Sequence, residues 1–155
     1  MKLRPALMTD AYTLWVWAND PTTRAGSGNR PLVSWSEHHT WLARKLPDSG
    51  SLVLIGESAE GQPVGSVRFD TRDGWRTATL SYVVAPEARG RGFGRALLVE
   101  GVAAVRRRAP AVRIEASVVP TNETSRRLFD LLGWETEPPS ADGRLRFVEG
   151  REVAV

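Results

Sequence analysis

The 155 residues suffice for one domain that buries its own core, expected to span 1–155, and 41% hydrophobic with 25% charged residues is an ordinary globular composition. Cysteine is absent, which excludes a disulfide framework or a thiolate metal site, and no stretch approaches the roughly 20 apolar residues of a membrane span. The net charge of +3 comes nearly all from arginine, without a basic stripe interleaved with aromatics, and the N-terminus MKLRPALMTD lacks a signal-peptide core; the expectation is a cytoplasmic protein with no nucleic-acid or membrane partner.

Residues 1–5 read as a short strand ending at Pro5. Asp10 is placed to cap a helix through Tyr12, Leu14, Trp15 and Trp17, stopping near Asn19-Asp20-Pro21. A polar loop, Thr22 to Pro31, is expected next. Ser34-Trp35-Ser36-Glu37 has the spacing of a capping box and opens a helix to about Leu46. Three strand signals follow: 51–57, 63–70 and 76–84, joined by short turn-like links, which predicts an antiparallel meander.

The period then changes. Residues 94–108 put Ala96, Leu97, Val99, Val102, Ala103 and Val105 on one helical face, and Pro110 ends the helix. A buried-type strand is expected at 112–119. Thr121 or Asn122 caps a helix with Leu128, Phe129, Leu131 and Leu132 inward, closed by Gly133. Segments 134–137 and 145–148 read as a last pair of strands.

The segment from Val83 to Leu98 is the most informative. A strand leads into Arg89-Gly90-Arg91-Gly92-Phe93-Gly94, which opens a long helix. Free N–H groups at a helix start attract anions, and glycines let the backbone approach phosphate closely. Arg89, Arg91 and Arg95 add charge. Neither a Rossmann fingerprint nor a P-loop fits, because the required third glycine spacing and the Lys-Ser/Thr pair are both missing. A glycine-rich connection with solvated arginines is the bland alternative.

With Val84-Ala85-Pro86 before it, this segment resembles the Arg/Gln-x-x-Gly-x-Gly/Ala acetyl-CoA signature of the GNAT N-acetyltransferase superfamily. A second family motif is recognisable at 116–125, followed by Phe129 and Leu132-Gly133-Trp134. The resemblance implies an α+β fold: a central mixed, mostly antiparallel sheet of six to seven strands with about four helices, splayed between strands four and five. It implies acetyl-CoA as acyl donor, a small-molecule primary amine as acceptor attacking directly in a ternary complex, and no metal. A homodimer is compatible with it. By position, Val84, Arg89, Gly90, Arg91, Gly92, Gly94 and Arg95 would hold pantetheine and pyrophosphate, with Asn122 and Ser125 touching the same arm. Asn122 reads equally as a plain helix cap.

One position departs from the family pattern. The usual general acid is a tyrosine where this chain has Phe129, which reads as a core aromatic. Tyr82, on the strand entering the site, is the candidate replacement, or a packing residue. Ser117 or Ser81 can order a water that takes the ammonium proton, with Glu115 and Glu37 as other candidates. Acceptor contacts are expected from Arg24, His38 and Trp41. The series Trp17-Ala18-Asn19-Asp20-Pro21, Arg24, Ser27, Ser34-Trp35, His38, Trp41 resembles acetyltransferases of amino-sugar nucleotides. Ribosomal-protein N-terminal acetyltransferases share the Trp-x-Asn-Asp pattern, and a non-catalytic acyl-CoA-binding module is the remaining alternative.

Overall fold

The computed structural model describes residues 1–28 and 30–150; Asn29 of the expected polar loop and residues 151–155, the end of the expected domain, lie outside the described residues. The described residues form seven strands: β1 (Lys2–Pro5), β2 (Ser51–Glu57), β3 (Pro63–Asp70), β4 (Thr77–Val84), β5 (Arg113–Val118), β6 (Glu135–Glu137) and β7 (Leu145–Val148). They form one sheet in the order β1-β2-β3-β4-β5-β7-β6. Every ladder is antiparallel except β4–β5, which is parallel and therefore needs a crossover helix.

Among the described residues there are five α-helices against the expected four or so: α1 (Ala11–Asn19), α2 (Pro21–Gly26), α3 (Trp35–Lys45), α4 (Phe93–Arg108) and α5 (Glu123–Leu131), with 3-10 turns at Met8–Asp10 and Pro86–Ala88. The addition is α2, which corrects the loop expected from Thr22. Asp20 Oδ2 accepts the Thr23 N–H at 3.1 Å, and Pro21 occupies the first helical position with its φ already set. Asp10 precedes α1 but makes no side-chain cap for it. Its carboxylate instead accepts both Arg4 guanidinium nitrogens at 2.8 Å and the Leu7 N–H, tying β1 to the chain's first turn. Ser34 caps α3 as expected, accepting the Glu37 N–H at 3.2 Å.

Two cores lie on opposite faces of the sheet. One packs α4 and α5 against β3, β4, β5 and β7 through Val67, Phe69, Leu80, Leu97, Leu98, Ile114, Phe129 and Phe147. The other packs α1 and α3 against β2 through Leu14, Trp17, Leu42, Val53 and Ile55. On α4 the buried face is Leu97, Leu98, Gly101 and Val105; Val99 and Ala103, expected inside, are exposed. Leu131, also expected inside, is 69% exposed, because α5 turns Ser125 and Phe129 inward. Gly133 ends α5 at φ 75°, as its position implied.

The β4–β5 ladder runs only from Thr77↔Arg113 to Leu80↔Ala116. Beyond it β4 stays paired with β3 as far as Val84, whereas β5 follows β7 to Val118. The sheet is therefore splayed between its fourth and fifth strands, as the family resemblance implied. Among the described residues no helix is long and apolar enough to cross a membrane.

Candidate functional site

The site begins where β4 outruns its parallel partner. Ala85 donates its N–H to Val64 O at 2.8 Å, so Ala85 faces β3. Strand alternation turns the Val84 N–H the opposite way, toward the open side of the splay. The chain then drops through Pro86–Ala88, pinned by buried Ala85 and Ala88, into the glycine loop. Gly90 and Gly92 adopt φ of 74° and 83°, and a Cβ built on either meets no atom within 4 Å. The loop is thus left-handed at both glycines, with open space where either Cβ would stand.

Helix α4 starts at once. Its Ala96 N–H bonds Gly92 O, which leaves the Phe93, Gly94 and Arg95 N–H groups without an intrahelical acceptor. Arg91 and Arg95 are exposed beside them, the Arg91 guanidinium 5.0 Å from the Phe93 ring centre. At Gly94 a Cβ would lie 3.3 Å from Leu128 Cδ2, 3.5 Å from Val84 Cγ2 and 3.7 Å from Tyr82 Cε2. The first turn of α4 therefore rests directly on β4 and α5. This arrangement suits a diphosphate at the helix start with a slender chain entering the splay.

Tyr82 lies two residues past the last β4–β5 pair, on the α5 face. Its hydroxyl is 2.7 Å from Ser125 Oγ, and its ring meets Phe129 edge-on at 6.2 Å. Burial pushes the phenol above its ordinary value while the Ser125 hydroxyl pulls it down, so it stays protonated at neutral pH. Phe129 is a core residue, stacked on Phe147 at 5.2 Å and against Trp134 at 4.7 Å. Ser117 is exposed on the opposite face of the sheet, so it and Tyr82 do not meet. Glu115 is bound to Arg113 at 2.9 Å and Arg146 at 3.5 Å.

Three residues expected at the cofactor, Arg89, Asn122 and Ser125, have other partners; the Ser125 hydroxyl meets that of Tyr82. Arg89 Nη2 donates to Asp20 Oδ2 at 2.7 Å and Thr23 Oγ1 at 3.2 Å. Asn122 Oδ1 accepts the Ser125 N–H at 3.2 Å as the α5 cap, and Nδ2 donates to Gly26 O at 3.3 Å. Asp20, expected only as part of the Trp17–Pro21 series, is thereby both the cap of α2 and the partner of Arg89. Burial pushes its carboxyl up, but Arg89 and the Thr23 N–H hold it below the ordinary carboxylate value.

The three expected acceptor contacts do not converge. Arg24 reaches Pro31 O at 3.4 Å and keeps its Nε buried without a partner. His38 is buried between α1 and α3, its ring 5.4 Å from that of Trp41. The other occupant of the Trp41 ring is the Arg68 guanidinium, 4.9 Å away. No group of three or more potential metal ligands occurs among the described residues.

A family model described as an acetyltransferase (GNAT) domain matches residues 1–135. In fold the chain is similar to spermidine N-acetyltransferase from Vibrio cholerae in complex with CoA and spermine: TM-score 0.82, 18% identity, 95% of this chain and 92% of that one. It is also similar to a domain from Methanocaldococcus jannaschii (TM-score 0.80, 18% identity, 95% and 96% covered). A third similar structure is aminoglycoside acetyltransferase AAC(6')-Ib with coenzyme A (TM-score 0.77, 21% identity, 97% and 95% covered). No curated protein matches the chain in sequence.

Proposed function

This chain belongs to the GNAT acetyltransferase family, and from that premise we propose that it transfers an acetyl group from acetyl-CoA to a primary amine, that of an amino-sugar nucleotide. The carrying observation is the open left-handed loop at Gly90 and Gly92, set at the start of α4 and beside the splay. Free backbone donors of Phe93, Gly94 and Arg95, flanked by the Arg91 and Arg95 guanidinia, suit the diphosphate. The donor supplies an activated acyl carbon and a thiolate leaving group.

The Val84 N–H faces the thioester carbonyl and stabilises the oxyanion as the amine attacks. The C–N bond forms and the C–S bond breaks. Tyr82 gives its proton to the departing sulfur, and a solvent water takes the proton from the ammonium nitrogen. Arg24 is the expected acceptor contact that stays available, since His38 and Trp41 serve the packing of α3. Segment 21–36 carries Arg24 and Arg30 and no carboxylate, which favours a phosphate-bearing amine over a polycation.

Titration calorimetry with acetyl-CoA and a CoA-release assay over amino-sugar nucleotides, peptide amines and polyamines tests this. Saturable binding with turnover of a sugar nucleotide is expected. Absence of coenzyme A binding overturns the reading, and turnover of polyamines alone overturns its acceptor half.

A further inference from the structure

Helix α2 is held at both ends by residues that come from the two cofactor-side elements. At its start, Asp20 and Thr23 receive the Arg89 guanidinium, which stands at the head of the glycine loop. At its last residue, the Gly26 carbonyl receives Asn122 Nδ2 from the cap of α5. The fit at that end is tight: a Cβ on Gly26 would lie 3.0 Å from Asn122 Nδ2. Just beyond, Ser27 O accepts Arg144 Nη2 at 3.3 Å, so the whole 20–28 segment is moored across the mouth of the splay.

A six-residue helix has no stability of its own, and α2 buries no residue. Its position therefore rests on these anchors together with its direct continuation from α1. Both anchors are charge-assisted or main-chain bonds between residues far apart in sequence, so they transmit the placement of the α4 loop and α5 directly to Arg24, which sits between them on α2.

We propose that Arg89 and Asn122 are positioning residues that clamp α2 over the acceptor side of the cleft. Their side chains do not ligate the cofactor: the loop grips it by backbone N–H groups, and the clamp couples that loop to the acceptor site. This rests on the function proposed above, since α2 matters only if the acceptor enters beneath it.

The test uses the full chain and the variants Asp20→Asn, Arg89→Gln and Asn122→Ala. Hydrogen exchange by mass spectrometry reads peptide 20–28, and calorimetry reads acetyl-CoA affinity. We expect each variant to speed exchange in 20–28 at least about tenfold while acetyl-CoA affinity changes less than about threefold. A double-mutant cycle between positions 20 and 89 should be non-additive. On a sugar nucleotide that turns over, KM for the amine should rise while kcat holds.

Unchanged exchange in 20–28 overturns the clamp. So does a tenfold or larger loss of acetyl-CoA affinity in Asn122→Ala, because Asn122 would then be a cofactor ligand. If the wild-type chain binds no acetyl-CoA, the functional reading fails instead; the exchange data still decide whether the clamp exists.

Discussion

Phe129 and Tyr82 divide between them what a single tyrosine would do. The phenylalanine fills the aromatic stack with Phe147 and Trp134, and the hydroxyl enters from β4, fixed 2.7 Å from Ser125 Oγ. If Tyr82 protonates the leaving thiolate, Tyr82→Phe keeps the ring packing and lowers kcat by about 10². KM for acetyl-CoA should stay within about twofold, as steady-state kinetics will show; a kcat near wild type removes the assignment. Because burial raises the phenol's pKa, loss of activity from its ionisation should set in at higher pH than for an ordinary tyrosine. His38 makes a different residue-level test. Burial lowers its pKa from the ordinary 6.5; a hydrogen bond to the Ala11 backbone pulls it up and His39 pushes it down. The folded state thus favours the neutral ring. Stability is full above pH 6.5 and declines as pH falls, because the unfolded chain takes the proton first. Urea midpoints at pH 8 and pH 5.5 should differ for wild type and differ less for His38→Leu.

Among the elements, the strands and long helices were legible because their apolar spacing is local. β2 and β3 begin and end where their alternation and flanking turns place them. α2 was not, since six residues carry no periodicity and only the Asp20-Pro21 pair marks its start. On α4 the helical spacing itself favours Leu98: at 3.6 residues per turn Leu97, Leu98, Gly101 and Val105 share one face, and Val99 and Ala103 lie on the other. The glycine loop was readable for the same local reason, and its left-handed φ values agree with its glycines. The Arg89–Asp20 and Asn122–Gly26 bonds were invisible, because they join residues 69 and 96 apart. Glycines at two elements should respond differently. At Gly92, φ 83° with open space above, alanine meets no clash and costs about 1–2 kcal/mol of conformational strain. At Gly65 of β3 a Cβ would sit 2.5 Å from Val83 O and 2.7 Å from Leu97 Cδ1. Gly65→Ala must therefore strain the β3–β4 ladder at Val83 and displace the Leu97 side chain, and should cost about 3 kcal/mol. Denaturant unfolding of both variants checks the order, and equal losses would contradict the close approach of β3 and β4 at Gly65.

Across the whole molecule, the two cores sit on opposite faces of one sheet, and the splay opens beside the point where α4, α5 and α2 approach one another. A ligand that bridges the α4 loop and the β4–β5 gap would join elements that the sheet itself leaves unpaired. Such a ligand binds the folded state alone, so at a hundred times its dissociation constant it should add about 2.7 kcal/mol of stability. For a chain of this size that corresponds to a rise in melting temperature of about 5–10 °C. Pantetheine, which lacks the diphosphate, should give almost no shift at the same concentration if the α4 N–H groups are the main grip. Raising salt should shrink the acetyl-CoA shift through the Arg91 and Arg95 contribution but leave the backbone part in place. Equal shifts with pantetheine and acetyl-CoA would instead put the binding energy in the splay, and would separate the gap between β4 and β5 from the helix start as the origin of affinity.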